Sequence, residues 1–69
     1  MENTKPNTNP IERSNIDDQI YRLYPFGEVA VLRDMDEVAY VLQAMAHEGA
    51  TVWVEPPRRE GGFWRIGLD

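Results

Sequence analysis

Cysteine is missing from all 69 residues. Its absence excludes a disulfide framework, a thiolate nucleophile and every cysteine-ligated zinc or iron–sulfur site. Serine is almost missing as well. Ser14 stands alone beside a polar N-terminal stretch, and Thr4, Thr8 and Thr51 have no paired base, so nucleophilic catalysis has no candidate. The one histidine, His47, follows Gln43 and Ala44 by four and three positions, which supply neither a nucleophile nor a second metal ligand. Its place at the end of a helical pattern fits a side chain interacting with the helix dipole. Long apolar runs are also lacking. No stretch approaches the ~18 residues that span a bilayer, and Met1 to Asn15 has no signal-peptide core. These absences fit a cytoplasmic, non-enzymatic protein with no membrane association, no cofactor, no metal and no catalytic residue.

A basic surplus is missing too. Twelve acidic against seven basic residues give a formal charge of −5, whereas proteins that grip nucleic acid by its phosphates draw affinity from counterion release and carry the opposite balance. Nucleic acid is therefore disfavoured as a direct ligand. The acidic residues are scattered along the chain, ten of them between Glu12 and Glu60, and form no block that imitates a phosphate backbone. Asp34, Asp36 and Glu37 come closest to an acidic cluster, but their spacing is that of a helix cap and lacks the order of a calcium loop. Gly61-Gly62 is too short to cradle a phosphate, and no lysine or serine follows it.

What is present divides into a tail and one small domain. Residues 1–15, rich in asparagine, proline and threonine, have too little apolar surface to offset ordering entropy and read as a disordered polar tail. Residues 16–69 form a single small α+β domain. Over 16–24, Ile16, Ile20 and Leu23 fall at helical spacing, yet Ile20-Tyr21-Arg22-Leu23-Tyr24 is rich in strand formers and runs into the turn Pro25-Phe26-Gly27. We favour a strand there, which makes the order ββαββ, with αβαββ as the alternative. Glu28–Arg33 reads as a strand that is apolar on both sides. Asp34 then caps a helix over about 35–48, with Glu37 placed for a capping box, Met35, Val38, Val41, Leu42 and Met45 on one stripe, and Gly49 as a left-handed stop. Thr51–Glu55 is a strand ended by Pro56-Pro57, and Phe63–Leu68 returns antiparallel to it after the loop 58–62. The expected fold is a small antiparallel sheet of three to four strands packed on that one main helix.

One helix cannot cover two apolar faces, and this imbalance carries the functional expectation. Period-two alternation assigns Val29, Val31, Val52, Val54, Trp64, Ile66 and Leu68 to the helix side and Ala30, Leu32, Trp53, Phe63 and Arg65 to the open side. Exposed aromatics beside an arginine are the residue types of interface hot spots, and full burial of each aromatic contributes about 1.5–3 kcal/mol. Arg58 and Arg59, in a loop bounded by prolines and glycines, offer a further grip on a carboxylate or phosphate. The expected binding residues are therefore Leu32, Trp53, Arg58, Arg59, Phe63 and Arg65. The partner expected is another protein or ribonucleoprotein complex whose surface the chain occludes as an antagonist or adaptor. The chain would then be an accessory protein of the phage or mobile-element type, such as an inhibitor of a CRISPR or restriction system. Two alternatives use the same face: a single-stranded nucleic-acid binder that stacks bases on Trp53 and Phe63, and a homodimer with no other partner.

Overall fold

A computed structural model describes residues 8–69, which form α1 (Thr8–Leu23), β1 (Ala30–Leu32), α2 (Met35–Glu48), β2 (Val52–Glu55) and β3 (Trp64–Leu68) in that order. This is an α+β fold of the αβαββ order. The three strands make one antiparallel sheet in the order β1-β3-β2, so the last strand lies in the middle and the first two form its edges. Residues 1–7 of the expected tail lie outside the described residues, and the rest of it falls on the first two turns of α1. Among the described residues, no helix is long and apolar enough to cross a membrane.

The segment 16–24 is helical, not a strand. Ile16, Ile20 and Leu23 stack at i, i+4 and i+7, and Leu23 is fully buried with Ile16 and Ile20 packed against the core. Burial of this stripe overrides the strand preference of the aromatic and β-branched residues between them. Tyr21 projects outward at 66% exposure and meets Phe26 with ring centroids 5.6 Å apart. The expected turn at 25–27 follows, with a cis Tyr24–Pro25 bond and Gly27 in the left-handed region at φ 86°.

α2 begins where its cap requires. Asp34 is extended, and its Oδ1 accepts the Glu37 N–H at 3.0 Å. Glu37 does not close the reciprocal half of the box on Asp34. Its Oε1 accepts the N–H of Arg33 at 2.8 Å, one residue earlier, and its Oε2 takes the Arg33 guanidinium at 3.0 and 3.2 Å. At the far end Gly49 is left-handed (φ 73°, ψ 19°). Its N–H reaches Ala46 O at 3.0 Å and the Ala50 N–H reaches Met45 O at 2.9 Å, the paired bonds of a Schellman stop. Val38, Val41 and Met45 form the buried stripe, with Leu42 at its margin; Met35, expected in it, is 54% exposed.

Both helices serve one core. Leu23 of α1, Val38, Val41 and Met45 of α2, and Ala30, Leu32 and Ile66 of the sheet are all buried, with Val52, Trp64 and Leu68 packed around them. The Tyr40 hydroxyl donates to Asp17 Oδ1 at 2.7 Å and ties α2 to α1. The helices therefore share the same side of the sheet, and neither covers the other.

Candidate binding face

β3 fixes which side chains share the uncovered side. Arg65 stands between Val31 of β1 and Glu55 of β2, and Gly67 stands beside Trp53, while Ile66 between them points into the core. By alternation Phe63 lies on the same side as Arg65. Trp53, Val31 and Phe63 are 38%, 45% and 55% exposed. The sheet thus presents two aromatics, a valine and an arginine on the side opposite the helices.

Leu32 does not belong to this face. It is fully buried beside Ala30, and Val29 and Val31 take the outward positions, so the expected assignment of this strand is reversed. The cause is register. Ala30 aligns with Ile66 and Leu32 with Trp64, which places them with the inward residues of β3. In a strand that is apolar on both sides, alternation fixes which residues share a side but not which side faces in. The assignments of Val52, Val54, Trp64, Ile66 and Leu68 to the helix side and of Trp53, Phe63 and Arg65 to the open side agree with the observed pairing.

The loop between β2 and β3 brings the remaining arginines to the same place. Pro56 and Pro57 end β2, and the chain then turns back through an Arg59–Gly62 turn, with the Gly62 N–H on Arg59 O at 3.0 Å. Gly61 at φ 82° takes the left-handed position that this turn requires. Arg58, Arg59, Phe63, Arg65, Val31 and Glu55 then line a shallow hollow of about 480 Å³. Glu55 is the one carboxylate among them. It meets Arg58 at 3.4 Å and Arg65 at 4.0 Å, while Arg59 has no carboxylate partner among the described residues. Three guanidiniums against one carboxylate make this a basic spot on an acidic protein. A second, smaller hollow, lined by Ile16, Gln19, Val31, Arg33, Glu37 and Phe63 among others, lies on the other side of Phe63 and Val31.

Four of the six expected residues, Arg58, Arg59, Phe63 and Arg65, are therefore gathered around one hollow. Trp53 lies on the same face one row away, and Leu32 lies in the core. Two further residues matter at this side of the molecule. Val31 joins the face once β1 is correctly turned. Gln19, on α1, reaches the outer edge of β1, where its Oε1 accepts the Val31 N–H at 2.7 Å and its Nε2 donates to Val31 O at 3.1 Å. A side-chain amide here imitates a neighbouring strand. No local sequence pattern announces that contact, because it joins residues twelve apart through tertiary packing.

Among the described residues, no group of three or more histidine, aspartate or glutamate side chains is placed to hold a metal ion. His47 is exposed in the last turn of α2. Comparison with family models, with curated proteins and with solved structures finds no match for this chain.

Proposed function

We propose that this protein is a non-enzymatic binding module that docks the open side of its sheet on another protein or ribonucleoprotein complex and occludes a functional surface there. The observation that supports the reading is the placement of both helices on one side of a three-stranded sheet, which leaves Trp53, Phe63 and Val31 exposed around Arg65 on the other. Aromatics anchor interfaces because each buries a large area while fixing few rotatable bonds, and arginine because its planar guanidinium makes several hydrogen bonds at once. The hollow carrying Arg58, Arg59 and Arg65 favours an acidic group on the partner, since planar guanidiniums pair bidentately with carboxylates. A small chain that acts by occlusion fits the antagonists that phages and mobile elements direct against host defence complexes, and we place it in that class.

The test is a tagged pull-down from lysate of the cell in which the protein acts, run beside Trp53→Ala and Phe63→Ala. The expected result is a discrete protein or ribonucleoprotein retained by the wild type and lost by both variants while their circular dichroism is unchanged. Capture that survives both substitutions would remove the open face from the mechanism. Retention of nucleic acid alone, released by nuclease, would replace the reading with that of a single-strand binder.

A further inference from the structure

The two edges of the sheet are treated differently. At the β1 edge the outward N–H and C=O of Val31 are both bonded to Gln19. At the β2 edge the ladder itself shows which groups face outward. Thr51 accepts the Asp69 N–H at 2.9 Å, so Thr51, Trp53 and Glu55 turn their backbone groups toward β3, and Val52 and Val54 turn theirs away from it. Among the described residues, no side chain bonds to these outward groups. A bare edge of this kind is a template for another strand.

The residues flanking this edge limit what can pair with it. The next outward position on one side is Ala50, whose N–H is already committed to Met45 O in the stop of α2. The next on the other side is Pro56, which has no N–H. The usable edge is therefore Val52 and Val54, placed symmetrically about Trp53. Such an edge is complementary to itself.

We propose that β2 pairs antiparallel with β2 of a second copy of the chain, about a two-fold axis passing through Trp53. In this register Val52 of each copy exchanges both backbone bonds with Val54 of the other, and Trp53 faces Trp53 at a site between bonded pairs, where side chains approach most closely. Pro56 falls opposite Ala50, so the two positions unable to donate meet each other and no donor is left without a partner. Moving the axis to Val54 would set Val52 against Pro56, and moving it to Val52 would set Val54 against Ala50; each keeps the four bonds but leaves only one pair that exchanges both, where the axis at Trp53 gives two. Glu55 falls opposite Thr51, so no like charges oppose one another, and Glu55 already meets Arg58 and Arg65. On the helix side Val54, 40% exposed in the single chain, gains Val52 of the second copy as a neighbour.

The axis stands perpendicular to the sheet, so the open faces of both copies lie on one side of a continuous six-stranded sheet. The two Trp53 residues stand opposite each other at its centre, each indole turned over Gly67 of its own copy, and the two arginine hollows lie outward of them. Both outer edges of that sheet are β1 edges closed by Gln19, so assembly stops at two.

Sedimentation equilibrium combined with amide hydrogen exchange tests the pairing on the intact chain. The expected mass at high concentration is twice the 8.0 kDa of one chain, with the Val52 and Val54 amides protected and their protection falling on dilution. Val54→Pro removes an outward N–H that the fold does not use and is expected to return the mass to that of one chain. A single-chain mass at every concentration would overturn the proposal. So would a dimer in which the Val52 and Val54 amides exchange freely, which is the decisive reading should Val54→Pro fail to fold. A dimer abolished by Phe63→Ala but kept by Val54→Pro would mean that the copies meet face to face, and would overturn it as well.

Discussion

The indole of Trp53 covers Gly67 of the neighbouring strand. A Cβ added at Gly67 would stand 2.8 Å from the indole Nε1 and closer still to Cε2 and Cζ2, so the ring occupies the space that any other residue would fill. Gly67 is buried for this reason: its cover is the ring, which itself remains 38% exposed. Glycine within a strand weakens it unless something packs closely on the backbone, and here an aromatic from the adjacent strand does so. The pair holds a large hydrophobic anchor in one orientation on the open face.

Gly67→Ala is therefore expected to lift the indole from its seat. Overpacking of this kind costs about 1–3 kcal/mol, and the freed ring becomes more hydrated. Urea unfolding in a Trp64→Phe background should show a lower midpoint together with a red-shifted native emission from Trp53. Unchanged emission and midpoint would mean that the ring does not rest on Gly67.

Leu32 and Val31 give opposite expectations although they are adjacent and both aliphatic. Leu32 is fully buried in the core shared by α1, α2 and the sheet, whereas Val31 is 45% exposed beside Arg65. Leu32→Ala should cost about 2–5 kcal/mol, most of the stability of a domain this small. Val31→Ala should stay within about 1 kcal/mol of wild type. Thermal unfolding of the two variants side by side measures which side of β1 faces the helices. Equal losses would contradict the register of Ala30 with Ile66.

What the chain reveals without its structure follows from how local each determinant is. The α2 cap, its glycine stop and the β2–β3 hairpin depend on residues close in sequence, and Asp34, Gly49 and Pro56-Pro57 mark them. The orientation of β1 depends on its alignment with β3, more than thirty residues away, and an Ala-Val-Leu strand accepts either orientation equally well. The same holds for α1. Its stripe of Ile16, Ile20 and Leu23 is visible, but only a core waiting to receive it decides against a strand. The open side of the sheet was legible where the hairpin determines it, at Trp53, Phe63 and Arg65, and illegible at Val31 and Gln19, where distant elements meet.

Asp34→Ala removes the acceptor for the Glu37 N–H at the start of α2. Loss of such a cap costs about 1 kcal/mol. Glu37 keeps its bonds to Arg33, which do not depend on Asp34, so the entry to the helix should be weakened without being lost. Denaturant melts should show this loss, with Asp34→Asn restoring most of it. A loss above about 3 kcal/mol would mean that Asp34 has a role beyond capping.

Gln19→Ala should act on the β1 edge. The amide makes two bonds to Val31, each contributing on the order of 1 kcal/mol net, and their loss leaves an unpaired donor and acceptor on an exposed strand. Amide exchange at Val31 should accelerate, and light scattering should show slow growth of large species, because an uncapped edge recruits further strands. Val31 exchange as slow as in the wild type would show that the edge is covered by something other than Gln19.

Arg58, Arg59 and Arg65 should matter for binding and little for folding. Their pairs with Glu55 are long, at 3.4 and 4.0 Å, and solvent-exposed, with the Arg58 side chain 87% accessible; exposed pairs of this kind contribute at most about 1 kcal/mol. Removing all three guanidiniums, as Arg58→Ala, Arg59→Ala and Arg65→Ala together, should leave the unfolding midpoint close to wild type. It should nevertheless weaken capture of an acidic partner and flatten the dependence of that capture on salt, because the interaction lost is the screened one. Arg59→Ala alone is the sharpest version of the experiment. This side chain has no carboxylate partner among the described residues, so its removal breaks no described pair in the free protein, and any loss of affinity reports on the complex alone. If the triple variant binds as the wild type does, with the same salt dependence, the hollow is not part of the interface and the aromatic row around Trp53 must carry it.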